Sequence, residues 1–300
     1  MPDALYRGRF APSPNGPLHF GSLLTAVGSY LDARSHHGEW LVRIENLDPP
    51  REVAGSAQNI LQTLESFGLY WDGPILYQGQ RHDAYGEALE ELGKLQLLYP
   101  CACSRRDLQL HTLGTTTGRI YPGTCRAGIP KGRGQCSTRV RVGNASVQFV
   151  DRSLGLIEEN LASEVGDFVL QRADGLFAYQ LAVVIDDAEQ KITDVVRGMD
   201  LLASTCRQIY LQQVLNLPTP RYLHLPIVVN QAGEKLSKQT HAPAIDPADP
   251  VPPLIAALRC LGQTVPDELE HAQLDEFWAW AVNAWNPAHI PSTGDVTVPN

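Results

Sequence analysis

The chain has 300 residues, 43% of them hydrophobic and 19% charged, with a formal net charge of −9. That balance leaves material for a sizeable core and excludes wholesale disorder. The length suits two compact domains, or one large domain carrying an insertion. No run of about 18 apolar residues marks a membrane span. The start M-P-D-A-L-Y-R-G-R-F lacks a secretory h-region, so a cytoplasmic protein is expected.

In chain order, Tyr6 to Phe10 reads as a short strand and runs into the turn-rich stretch A-P-S-P-N-G-P-L-H-F-G. From Gly21 the apolar residues Leu23, Leu24, Val27, Tyr30 and Leu31 recur at helical spacing, and Gly38 ends that helix. W-L-V-R-I-E (40–45) reads as a second strand, and Ala54 to Phe67 as a second helix after Pro49 and Pro50. Strand–helix–strand–helix at this pitch predicts a parallel sheet built from crossover units. Residues 99–165 interrupt it with glycines, threonines and short strands at 137–142 and 146–151, and read as an inserted subdomain. The pattern resumes with strands at 167–172 and 191–198, a turn at Asp174-Gly175, a helix over Asp200 to Leu215, and a strand at 225–230. Five prolines in residues 243–253 read as a brace, followed by short helices at 253–261 and 275–282 and a frayed end. The divisions are therefore 1–98 and 166–242 for the two halves of the sheet domain, 99–165 for the insertion, and 243–300 for the brace and helical C-terminal region.

The insertion is unlike the rest of the chain. Between Cys101 and Arg152 stand nine basic residues (Arg105, Arg106, Arg119, Arg126, Lys131, Arg133, Arg139, Arg141, Arg152) against Asp107 and Asp151. A local basic surface on an acidic protein can meet RNA, although a solvated loop-rich insertion gives the same tally. Four of the six cysteines also fall here. Clustered cysteines in a cytosolic chain point to metal rather than disulfides. Cys101, Cys103 and Cys125 supply three thiolates, with Cys136, His111 or Tyr121 as the fourth donor of a tetrahedral site.

Two stretches are candidates for phosphate chemistry, the first also readable as an ordinary proline-rich loop and the second as a solvated surface pair. A strand, a tight turn and a helix N-terminus around His19 form an anion site, with Gly16 and Gly21 permitting close backbone approach and His19 donating to a phosphate oxygen. G-E-K-L-S-K-Q (233–239) places Lys235 and Lys238 where they can clamp a leaving pyrophosphate. P-L-H-F-G-S resembles the first signature of class I aminoacyl-tRNA synthetases, and K-L-S-K-Q the second. R-F-A-P-S-P-N-G-P-L-H-F-G, R-I-E-N-L-D, A-Y-Q-L-A-V-V-I-D-D, V-V-R-G-M-D-L-L and E-K-L-S-K, in that order over about residues 5–240, resemble the glutamyl-tRNA synthetase branch. Ser22 and Gln239 depart from the signatures, at positions where relatives vary.

The resemblance implies a Rossmann-type α/β fold that activates L-glutamate with ATP. It implies His19, Lys235 and Lys238 as catalytic residues; His19, Gly21 and Lys238 on ATP; and Mg²⁺ with the nucleotide. Arg9 and Arg197 would grip carboxylates, Glu45 the ammonium, and Ser13 and Tyr179 would supply hydroxyls. C-x-C with Y-x-x-x-C resembles the zinc site of a short paralogous group, the glutamyl-Q tRNA(Asp) synthetases, which implies one structural zinc on Cys101, Cys103, Tyr121 and Cys125. Only 61 residues follow Gln239, too few for the anticodon-binding domains of the full-length family. The expectation is therefore transfer of glutamate to queuosine in the anticodon stem-loop of tRNA(Asp), by a monomer without membrane contact. The competing readings are an abbreviated synthetase charging a tRNA 3′ end, and a catalytically silent RNA-binding paralogue.

Overall fold

The computed structural model describes residues 5–298 except 105, 109–113, 116–117, 131, 133, 231–232 and 237–243. Its centre is a parallel sheet. β1 (Arg7–Phe10) pairs with β2 (Glu39–Ile44), and β2 with β3 (Leu76–Tyr77). On the other side of β1 the Thr193 amide donates to the Arg7 carbonyl at 3.0 Å, bringing in β11 (Asp194–Gly198), which pairs in parallel with β12 (Arg221–Leu225). β2 is buried along Trp40–Ile44, as expected of a strand covered on both faces. α1 (Phe20–Ser35) and α2 (Ser56–Ser66) help to cover one face. α3 (His82–Lys94), α5 (Tyr179–Glu189) and α6 (Leu202–Val214) contribute to a second core.

The inserted segment is tied to both halves. β4 (Leu98–Cys101) and β7 (Ser137–Val140) form an antiparallel sheet with β10 (Phe168–Gln171), and β5 (Gly114–Thr115) pairs with β6 (Gly118–Arg119). β8 (Ser146–Asp151) and β9 (Gly155–Asn160), followed by the single turn α4 (Leu161–Glu164), extend the sheet of β11 and β12 through Tyr222 opposite Asp151. Four of the segment's arginines are engaged within the fold. Arg126 forms a two-pronged pair with Asp167 at 2.5 and 2.9 Å, and Arg139 lies over the Tyr121 ring at 4.0 Å and donates to the Asp167 carbonyl. Arg141 covers the Tyr99 ring, and Arg152 pairs with Asp32 at 2.5 and 2.9 Å. These four arginines brace the insertion. Arg106 is exposed; Arg105, Lys131 and Arg133 lie outside the described residues.

The C-terminal region joins the main core. α7 (Val251–Cys260) starts on prolines, which are tolerated in a first turn whose amides have no intrahelical acceptor. The proline brace thus ends inside the helix. α8 (Leu274–Ala284) seats Trp278 against Gly68, and the Trp278 indole donates to the Phe67 carbonyl at 2.9 Å. The expected frayed end instead holds β14 (Asp295–Thr297), paired in parallel with β13 (Ile227–Val229).

One carboxylate fastens three of these parts. Asp32 of α1, fully buried, accepts from Arg152, from the Tyr6 hydroxyl at 2.5 Å and from the Trp285 indole at 3.2 Å. Replacing it leaves the Tyr6 and Trp285 donors without their acceptor and Arg152, a quarter exposed, with Asp194 at 3.7 Å, so Asp32→Ala is expected to cost about 2–3 kcal/mol, read from urea unfolding.

Candidate active site and metal centre

A cavity of about 720 Å³ opens beyond the carboxyl ends of β1 and β11, where open α/β sheets place ligands. Arg9, Ser13, His19, Gly21, Glu45, Tyr179, Arg197 and Lys235 all line it, joined by Asn15, Arg51 and Asp200. Eight residues from five sequence stretches are thus brought together; Lys238 lies outside the described residues.

The anion end is built by the turn before α1. His19 is the N-cap: its Nδ1 accepts from the Ser22 amide at 3.3 Å, which places the ring proton on Nε2. Gly16 does not line the cavity. Its φ of 127° and its bonds with the Ser56 hydroxyl shape the turn instead. Gly21 permits a close approach, since a Cβ there would sit 3.2 Å from the Leu236 carbonyl oxygen. Lys235 bridges to Val229 and Ala244 to His19, so the described residues on both sides of 237–243 are anchored beside the first motif. The Lys235 ammonium pairs with Asp200 at 2.6 Å, both groups partly exposed.

The other end is a buried charge lattice. Arg9 grips Asp187 with two N–H groups at 3.1 and 3.3 Å, and Arg43 reaches the same carboxylate at 2.7 Å. Arg43 also lies 3.5 Å from Glu45 and donates to Gln190 at 2.7 Å. The carboxylate that pairs with Arg9 is Asp187 rather than Glu45. Burial pushes the Glu45 carboxyl up to about 7, against the pull of Arg43 and Arg9. Burial also opposes ionisation of Asp187, but Arg43 and Arg9 outweigh it and hold this carboxyl below its ordinary value.

Arg197 differs from both arginines. It is 3% exposed, and among the described residues no carboxylate pairs with it. Its partners are neutral: Gln208 and Thr205 at 2.8 Å each, His224 Nε2 at 3.2 Å, and the Tyr179 hydroxyl and Leu201 carbonyl at 3.4 Å. The two longest contacts fall one on each terminal nitrogen, and a planar carboxylate can engage two guanidinium nitrogens at once. A buried cation with neutral partners is costly unless an anion arrives. Asp187, Arg43, His224, Gln208 and Thr205 were missed in the sequence. The signal for Arg43 and His224 was a charged or titratable residue inside an otherwise apolar strand.

A second centre lies in the insertion. The Cys101, Cys103 and Cys125 sulfurs fall within 4.8 Å of one another, in a group that could hold a metal ion. Tetrahedral thiolate sites with bonds of about 2.3 Å have sulfur–sulfur edges of about 3.8 Å, and Cys103 and Cys125 stand 3.6 Å apart. The Tyr121 hydroxyl lies 3.3 and 3.8 Å from Cys101 and Cys103, at the fourth corner. Cys136 turns away to the Gly134 carbonyl, and His111 lies outside the described residues. Burial opposes ionisation of Cys101, but hydrogen bonds from Tyr121 and the Cys103 backbone prevail, and its thiol is lowered to about 7.

The chain matches the family described as tRNA synthetases class I (E and Q), catalytic domain, over residues 6–286, and it belongs to that family. A protein of Aromatoleum aromaticum named glutamyl-Q tRNA(Asp) synthetase is 56% identical over 95% of this chain and 90% of its own length. Proteins of the same name from Dechloromonas aromatica and Pseudomonas aeruginosa are 54% and 52% identical, covering 98% and 95% of this chain and the same shares of their own lengths. The crystal structure of a glutamate tRNA ligase from Elizabethkingia meningosepticum, in complex with its amino acid, superposes with a TM-score of 0.80 at 25% identity, covering 99% of this chain and 67% of that one. Among the described residues no helix is long and apolar enough to cross a membrane.

The cysteine geometry generates a direct expectation. Cys125→Ser should lose bound metal by mass spectrometry of the native protein, and Cys136→Ser should retain it.

Proposed function

We propose that the chain activates L-glutamate with ATP and transfers it to the queuosine base in the anticodon stem-loop of tRNA(Asp). The observation that carries the activation step is Arg197: a buried guanidinium with neutral partners, in a cavity that also holds Arg9 and the buried Glu45. An amino diacid matches that set. One carboxylate answers Arg197, the Arg9 side of the cavity suits the other, and Glu45 accepts the ammonium. With the side-chain carboxylate on Arg197, glutamine would leave that guanidinium uncompensated. The acceptor rests on the relatives' shared name.

In this reading the α-carboxylate of glutamate attacks the α-phosphorus of ATP. The amides of the first turn of α1 and the His19 Nε2–H stabilise the charge that develops on the phosphoryl oxygens. Lys235 and Lys238 attract the departing pyrophosphate. Mg²⁺ bound with the nucleotide would neutralise phosphate oxygens. A queuosine hydroxyl then attacks the acyl-adenylate carbonyl, forming an ester and releasing AMP. Zinc suits the three thiolates and Tyr121, and there it would pin the insertion rather than take part in the chemistry.

Acylation of tRNA(Asp) carrying queuosine, but not of the unmodified transcript, tests the whole proposal. Charging of the unmodified transcript would favour a 3′-end synthetase instead, and removal of the terminal adenosine would then abolish it.

Glu45 adds a pH signature. Its raised pKa leaves it protonated below about pH 7 in the free protein, where it cannot hold an ammonium. The kcat/KM for glutamate in pyrophosphate exchange should therefore fall about tenfold for each unit of pH below that value. In Glu45→Gln this limb should vanish, with kcat/KM lowered roughly a hundredfold at alkaline pH.

A further inference from the structure

We infer that His224 and Asp151 are positioning residues for glutamate: they aim the Arg197 fork through a fixed chain of hydrogen bonds that begins in the inserted segment. This rests on the reading that Arg197 receives a carboxylate of the substrate.

Arg197 donates from Nε to His224 Nε2 at 3.2 Å, so Nε2 is the acceptor nitrogen. The ring proton is therefore on Nδ1, which faces Asp151 Oδ2 at 2.7 Å. All three side chains are nearly or fully excluded from water, His224 and Asp151 at 0% and 1% exposure. Asp151 is held by donors on several sides: the amides of Ser153 and Leu154 on Oδ1 at 3.0 and 3.1 Å, the Ser153 hydroxyl, and the His224 amide on Oδ2 at 3.2 Å. Burial lowers the affinity of the His224 ring for a second proton, which keeps Nε2 available as an acceptor.

The arrangement has two consequences for the fork. A donor–acceptor bond at Nε fixes the rotation of the guanidinium plane about the last side-chain torsions. Thr205, which accepts from Nη2 at 2.8 Å and lies 3.2 Å from His224 Nε2, holds the same edge, and Gln208 accepts from Nη1 at 2.8 Å. The terminal nitrogens then point into the cavity in one orientation. The neutral ring also satisfies Nε without competing with the substrate for the positive charge, as a carboxylate would. Arg9 shows the alternative, since Asp187 already occupies two of its N–H groups.

Asp151 reaches this position because β8 joins the main sheet opposite Tyr222, two residues before His224. The one acidic residue at the end of the basic stretch thus acts as the anchor of the substrate arginine.

The test is glutamate-dependent exchange of pyrophosphate into ATP, with KM measured separately for glutamate and ATP. The native chain must show exchange; absence of exchange overturns the reading of Arg197 and this proposal with it. His224→Leu removes the acceptor, and the KM for glutamate should rise about tenfold to a hundredfold, with the KM for ATP within about twofold of native. His224→Gln, whose side-chain oxygen can take the place of Nε2, should restore most of the loss. Asp151→Asn keeps shape but weakens the anchor, with a smaller rise in the same direction; it also decides the matter should His224→Leu fail to fold. Native exchange together with an unchanged glutamate KM in folded His224→Leu or, in its place, Asp151→Asn would overturn the positioning role alone. So would a parallel rise of both KM values.

Discussion

A guanidinium buried without a carboxylate is the constraint from which much of this architecture follows. Arg197 sits at the end of β11, 3% exposed, and its shell of a histidine, a glutamine, a threonine, a tyrosine and a backbone carbonyl satisfies its hydrogens without cancelling its charge. Desolvating such a charge costs several kcal/mol, of the same order as net domain stability. The offset has to come from a rigid surround. Three elements supply it: α6 gives Thr205 and Gln208, β12 gives His224, and β8 gives Asp151 behind the histidine. In the proposed reading that imbalance would become affinity for an anion, which is how a preorganised site differs from a surface arginine.

The opposite design holds a few ångströms along the sheet. Arg9, Arg43, Glu45 and Asp187 form a buried lattice with two cations and two carboxyl groups. Here charge is nearly balanced, so the lattice fixes geometry. The Glu45 carboxyl, raised to about 7, is the member left most ready to exchange a proton or accept a cation. The cavity therefore presents a cation with unspent charge at one wall and a responsive acid at another. A ligand carrying both signs of charge fits that polarity better than any simple anion.

Much of the scaffold was legible because helical spacing and apolar strand runs are local. The periodicity of Leu23, Leu24, Val27 and Leu31 and the run W-L-V-R-I both became the elements they suggest. The cavity residues that form part of a recognisable motif were legible too. The partners were not, because Arg9 and Asp187 lie 178 residues apart and His224 and Asp151 lie 73 apart. An arginine in the middle of a buried strand demands an acid somewhere, but the sequence cannot say which. The basic tally over 101–152 had the same blind spot: it could not see Asp167 and Asp32, beyond either end of the stretch, closing on Arg126 and Arg152. The C-terminal end was read as frayed because three residues of strand carry little pattern, and β14 exists only by virtue of β13.

The phosphate end shows how little energy need separate the resting arrangement from a working one. Lys235 and Asp200 pair at 2.6 Å, yet both are around two-fifths exposed, and such surface pairs contribute about 0–1 kcal/mol. In the proposed reading a polyphosphate would bring several negative charges to the same place, beside the first-turn amides of α1, and would outcompete one carboxylate. The chain on either side of residues 237–243 is already pinned, through Val229 opposite Lys235 and His19 opposite Ala244. Bringing Lys235 to a phosphate would then need a side-chain swing, with Leu236 and Ala244 left where they are. Gly21 is what lets those anchors lie so near the helix, since the Leu236 carbonyl occupies the space a side chain would need. Leu236 of the second signature stretch thus already lies against Gly21 of the first, and Ala244 against His19.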